Sequence, residues 1–190
     1  MKYKAFYVDK CIMIYLKNIN CTSHEMKGNI CILYHDQKII GYNIFDVESP
    51  LLIKGLLKQS DELNDLINKE LSKQGLASLE VDDTAYFVVG HVVECRPHPQ
   101  SAKLHITQVD IKDEIIQIVC GAKNIALHQK VVVAKVGAVL NNGTWILPGK
   151  IMNEKSNGMI CSDKELGLSE VSHGILVLDD TYHIGDAFIV

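Results

Sequence analysis

The second half of the chain is written in strands too short to stand alone. Residues 87–95, 104–111, 115–119, 131–136, 159–161 and 174–178 are rich in Val and Ile and separated by polar turns, and one brief segment, 122–127, reads as a short helix. A strand leaves unpaired N–H and C=O groups along its edge unless the sheet closes. Some five short strands around one short helical segment therefore predict a small closed Greek-key barrel over residues 86–190. Gly121, Gly137, Gly143 and Gly149 fall where such a barrel turns its corners.

The first half has a different rhythm. Residues 3–8, 11–16, 30–34 and 39–45 are short, rich in Ile, Tyr and Val, and divided by polar turns, as in an antiparallel meander. After Pro50, Leu51, Leu52, Leu56 and Leu57, then Leu63, Leu66, Ile67 and Leu71, recur at spacings of three and four, which is helical periodicity. Asp61 is placed to be the N-cap and Gly75 to be the C′ residue. Residues 72–84 then read as a polar, acidic linker. Residues 1–80 are expected to form an α+β domain, and nothing in it signals chemistry.

Several function classes are excluded at this level. Hydrophobic residues make up 47% of the chain and charged residues 22%, enough apolar material for a core and too little charge for disorder. The longest apolar runs, such as 131–134 and 11–16, fall far short of the roughly 20 residues that span a bilayer, so no membrane partner is expected. The N-terminal stretch alternates polar and apolar residues and carries no signal-peptide pattern, so a cytoplasmic location is expected. The six cysteines contain no Cys-x-x-Cys pair and read as free thiols. Cys95 with His91 or His98 would begin a metal site, but no second pair completes it; no metal and no cofactor are expected. There is no P-loop, GxGxxG, HExxH or GxSxG, and nothing beside Cys120 or Cys161 would activate a thiol. An enzyme is not expected.

Four stretches stand in a fixed order: VVGHVVECRPHPQSAKLHITQVDI from Val88, IVCGAKNI from Ile118, KVGAVLNNG from Lys135, and SNGMICSDKELGL from Ser156, followed by GILVLDD. The series resembles the tRNA-binding OB domain of the bacterial phenylalanyl-tRNA synthetase β chain, of some methionyl-tRNA synthetase extensions and of endothelial monocyte-activating polypeptide. The resemblance covers slightly more than half the chain. The length and the preceding segment are similar to free-standing YtpR-type proteins, in which an uncharacterised α+β domain precedes the module. The resemblance implies an OB-fold for residues 86–190 and non-catalytic tRNA binding. It leaves open a synthetase or other protein partner for the first domain, and a homodimer. Related OB barrels of the export-chaperone type offer the alternative of polypeptide binding.

The residues have their own chemistry beside that resemblance. Lys123 and Asn124 would present a cation and an amide to phosphate and unpaired bases; otherwise Asn124 caps the short helix and Lys123 is merely solvated. The small segment Ser156, Asn157, Gly158 lets a backbone approach, and the Met159 thioether suits a base face or, alternatively, the core. Ser156 and Ser162 would hydrogen-bond phosphate or ribose. By the resemblance, tRNA contacts are expected at Lys123, Asn124, Ser156, Gly158, Met159 and Ser162, with Lys150, Lys155 and Lys164 around them. The net charge of −4 argues against nucleic acid. Locally, however, six lysines stand against two acids from Gly121 to Lys164, although charge alone favours an ordinary solvated face. His98-Pro99 reads as a structural turn. The aromatic residues Tyr86, Phe87, Trp145, Tyr182 and Phe188 lie outside the tightest motifs, so recognition is expected to rest on tRNA shape and backbone.

Overall fold

The computed structural model describes residues 1–189, which divide into two compact units, Met1–Asp83 and the residues from Thr84 onward. In the first, β1 (Lys4–Val8), β2 (Cys11–Tyr15), β3 (Ser23–Lys27), β4 (Ile30–His35), β5 (Lys38–Ile44) and β6 (Gly55–Leu56) form one antiparallel sheet in the order β3-β4-β5-β2-β1-β6. The β1–β2 and β4–β5 hairpins turn on two residues each, Asp9-Lys10 and Asp36-Gln37, all with positive φ, the geometry that matches strand twist. Alternate residues Ile12, Ile14, Ile30, Ile32, Tyr42 and Ile44 share a core with Leu63, Ile67 and Leu71 of helix α1 (Asp61–Lys73).

Three expectations for this unit are corrected. The helix begins after Ser60, not Asp61, because the Ser60 hydroxyl accepts the Leu63 N–H at 3.2 Å while Asp61 is already helical. Leu51–Leu57 is not helical: the backbone at Gly55 takes φ +114, and residues 55–56 instead pair with β1. The segment 72–84 is not a linker, since α1 runs to Lys73 and Leu79 beyond it is 2% exposed. Asn68 brackets Leu79 with both amide atoms, at 2.8 and 2.9 Å, and Asp82 pairs with Lys2 and Lys4. Ser60→Ala is expected to cost this unit about 1 kcal/mol, read as a lower denaturant midpoint of the helical circular-dichroism signal at unchanged slope.

The second unit contains β7 (Phe87–His98), β8 (Ser101–Asp110), β9 (Ile115–Cys120), β10 (Lys130–Lys135), β11 (Gly149–Ile151), β12 (Glu154–Ser156), β13 (Gly158–Ile160) and β14 (Val177–Leu178). The main sheet runs β13-β10-β7-β8-β9, with β14 also on β10, and β11–β12 form a separate hairpin. Its two ends nearly meet. The Asn157 N–H donates to Gln117 O at 2.9 Å and the Val119 N–H to Ser156 Oγ at 3.2 Å, so the segment between β12 and β13 lies along β9. The bulge near Val92 lets the long β7 bend, pairing first with β10 and then with β8. Val131 and Val133 face the barrel interior, while Val132 and Ala134 pack on a second cluster with Leu140, Ile146, Cys161 and Leu166. Burial on both faces explains why β10 is an unbroken apolar run.

The expected short helix at 122–127 is absent. That segment is a pair of turns whose polar groups are satisfied across space: Gln129 accepts the Ala126 N–H and donates to Asn124 O. No helix among the described residues is long and apolar enough to cross a membrane.

Candidate functional site

On the second unit, the turns after β9, the β11–β12 hairpin and the segment around β13 enclose an open groove of about 620 Å³. Its floor comes from apolar residues such as Val119, Ile146, Ile160 and Ile175. Of the residues singled out in the sequence, Lys150, Ser156, Gly158, Met159 and Ser162 line it, whereas Lys123, Asn124, Lys155 and Lys164 do not.

Each polar member has a definite local task. Ser156 is 7% exposed; its hydroxyl accepts the Val119 N–H and faces Gly158 O at 3.4 Å, so it locks the seam of the barrel. Ser162, 5% exposed, donates from both N and Oγ to Glu165 Oε2 at 2.6 Å, and the Glu165 N–H points back to Ser162 Oγ at 3.4 Å. This reciprocal arrangement is that of a capping box, used here on a turn. Asn124 Nδ2 donates to Ile175 O at 2.9 Å and its Oδ1 accepts the Ile175 N–H at 3.0 Å, so both ends of the amide pin one wall of the groove. Gly158 has φ +150, and a Cβ there would stand 3.0 Å from Ala134 O and 3.3 Å from Ile118 Cδ1. Only glycine meets both demands without strain.

The cations are arranged differently. Lys150 and Lys155 are directly opposed across the β11–β12 hairpin, which turns on Met152 and Asn153, both with positive φ. Both lysines are exposed, as are Lys123 and Lys164, and none of the four forms an ion pair among the described residues. Like charges facing each other across two strands are unfavourable unless an anion lies between or above them.

Sequence reasoning set Trp145 outside the motifs and passed over Glu165 and the hairpin. Trp145, half-buried, lines the groove from a short loop that an isolated antiparallel bridge to Val139 closes on itself. Glu165 did have one, since Ser162-x-x-Glu165 is the capping-box spacing. His98, 4% exposed, sits between Ile151 O at 3.3 Å and the Gln100 N–H at 3.1 Å, tying the β7–β8 turn to the hairpin. Burial pushes the Cys120 thiol up, and burial with the nearby Glu165 charge pushes Cys161 up to about 12. Neither is a thiolate at neutral pH. No group of three His, Cys, Asp or Glu side chains among the described residues is placed to hold a metal ion.

Residues 87–187 match the family described as "Putative tRNA binding domain", and residues 18–82 match a domain of unknown function (DUF4479). The "Putative tRNA-binding protein YtpR" of Bacillus subtilis (strain 168) is 38% identical over 197 residues, covering 97% of this chain and 98% of that one. The phenylalanine–tRNA ligase beta subunits of Idiomarina loihiensis and Oleidesulfovibrio alaskensis are 44% identical over 133 residues and 50% identical over 97 residues. These matches take in 65% and 51% of this chain but 17% and 12% of the subunits.

Proposed function

The chain belongs to the family of the "Putative tRNA binding domain", and from that premise we propose that it is a non-catalytic protein that grips tRNA by backbone and shape. The observation that carries this reading is that the family match, residues 87–187, contains the groove and the opposed lysines of the hairpin. We read residues 86–190 as an OB-type Greek-key barrel and residues 1–80 as an α+β domain for interaction, with a synthetase or a second copy as its occupant. In the barrel, Lys123, Lys150, Lys155 and Lys164 meet phosphates, and Gly158 and Met159 let the backbone approach. Asn124, Ser156 and Ser162 act as positioning residues, because their hydrogen bonds hold the groove walls. The raised thiols of Cys120 and Cys161 support a binding role over a nucleophilic one.

A second reading has one observation in its favour. Leu147 and Met152, by the hairpin, are 56% and 53% exposed, which suits capture of a polypeptide. Ionic strength separates the two. With four lysines on phosphates, tRNA affinity is expected to fall on the order of a hundredfold between about 50 and 200 mM salt, whereas apolar binding barely changes. A filter-binding titration with total tRNA reads this directly. No binding at low salt overturns the proposal.

A further inference from the structure

The groove has features that shape recognition alone does not use. It is concave, its volume lies within the range of small-ligand clefts, and its floor is apolar. A duplex presents a continuous phosphate surface with its base faces already stacked, so it has nothing to place in such a cleft. An unpaired base has two free π faces. Trp145 and Met159, which both line the groove, offer the aromatic and thioether surfaces that such a face prefers.

Charge orders the occupant. Glu165 also lines the groove, its carboxylate Oε2 accepting from the N–H and hydroxyl of Ser162. An anion inside would face that carboxylate; a ribose hydroxyl or an exocyclic amine would donate to it. The phosphates are then directed outward, where Lys150 at the rim and Lys155 across from it carry two positive charges with no ion pair among the described residues. Cation outside, acceptor and rings inside is the polarity of a nucleotide entering base first.

We propose that the groove is a slot for an unpaired nucleotide of the bound RNA, its base on Trp145 and Met159, its sugar or amine toward Glu165, and its phosphate on Lys150 and Lys155. This rests on the tRNA-binding reading and sharpens it. The grip is directed to a single-stranded element, and the stacking that sequence motifs did not suggest is supplied by Trp145.

Trp145 is the only tryptophan of the chain, so intrinsic fluorescence reports on the slot itself. The intact protein is titrated with total tRNA, with a short single-stranded oligoribonucleotide, and with a blunt RNA duplex of equal phosphate number. Quenching by tRNA and by the single strand, and not by the duplex, is expected. By anisotropy of a labelled single strand, Trp145→Ala is expected to weaken binding about tenfold or more, with Trp145→Tyr largely restoring it. The tyrosine variant also controls for a folding defect. If tRNA binds without changing Trp145 fluorescence and the duplex competes as well as the single strand, the slot is wrong while the tRNA-binding reading stands. If the single strand quenches and tRNA does not bind, the slot stands and that reading fails. Quenching by an apolar peptide, insensitive to salt, with no response to the single strand, overturns the slot in favour of polypeptide capture.

Discussion

A double charge reversal, Lys150→Glu with Lys155→Glu, is expected to lower tRNA affinity by on the order of a hundredfold at about 50 mM salt and to reduce the salt slope by roughly 1.5 to 2. The two lysines lie opposite each other on an exposed two-stranded hairpin, so the double variant exchanges one like-charged cross-strand pair for another. The single reversal Lys150→Glu is more informative. It sets a carboxylate opposite Lys155, a cross-strand pair worth roughly 0.2–1 kcal/mol to the hairpin, while removing one phosphate contact. Stability is therefore expected to hold or rise as binding falls. A purely structural role for Lys150 cannot produce that divergence. Filter binding and denaturant unfolding of the same preparations check it, and unchanged affinity in the double variant would place the interface elsewhere.

Gly41→Ala is expected to destabilise the first unit by on the order of 3 kcal/mol or more, a large part of the roughly 5–15 kcal/mol that holds a domain together. Gly41 lies on β5 between Tyr15 of β2 and Leu33 of β4, inside the sheet. A Cβ there would stand 2.2 Å from Ile14 O and 3.6 Å from Tyr15 Cα. The obstacle is backbone, so no rotamer change relieves it. Helix α1 is the single α-helix among the described residues and Trp145 belongs to the other unit, so circular dichroism and fluorescence follow the two separately. The helical transition should move to lower denaturant, with the Trp145 transition in place. A wild-type helical transition would refute the steric argument.

What was legible in the sequence follows what is local. The strands at 30–34 and 39–45 and the helical face of Leu63, Ile67 and Leu71 were readable because burial on one side imposes period 2 or period 3.6 on apolar residues. Strand β3 was not, because Ser23–Lys27 is exposed at every position on a sheet edge and carries no alternation. Leu51–Leu57 imitated helical spacing, yet Gly55 at φ +114 breaks it, a property that spacing does not encode. In the barrel, the motifs located the groove, but not the partners of its residues. That Asn124 holds Ile175 and that Trp145 joins Met159 depend on contacts between residues far apart in the chain. The lysine balance between Gly121 and Lys164 was visible as a sum, whereas the direct opposition of Lys150 and Lys155 required the register of a hairpin that composition does not announce.

The uneven burial of the thiols makes this chain chemically addressable. Burial and the nearby Glu165 charge push the Cys161 thiol up to about 12, so it stays protonated at pH 7. Cys120 and Cys31 are likewise buried, with their thiols raised by burial, whereas Cys21 is exposed on the first unit. A maleimide dye at neutral pH should therefore mark Cys21 first. The native tryptophan already marks the other unit, so the protein can carry one optical label on each unit without a single engineered residue.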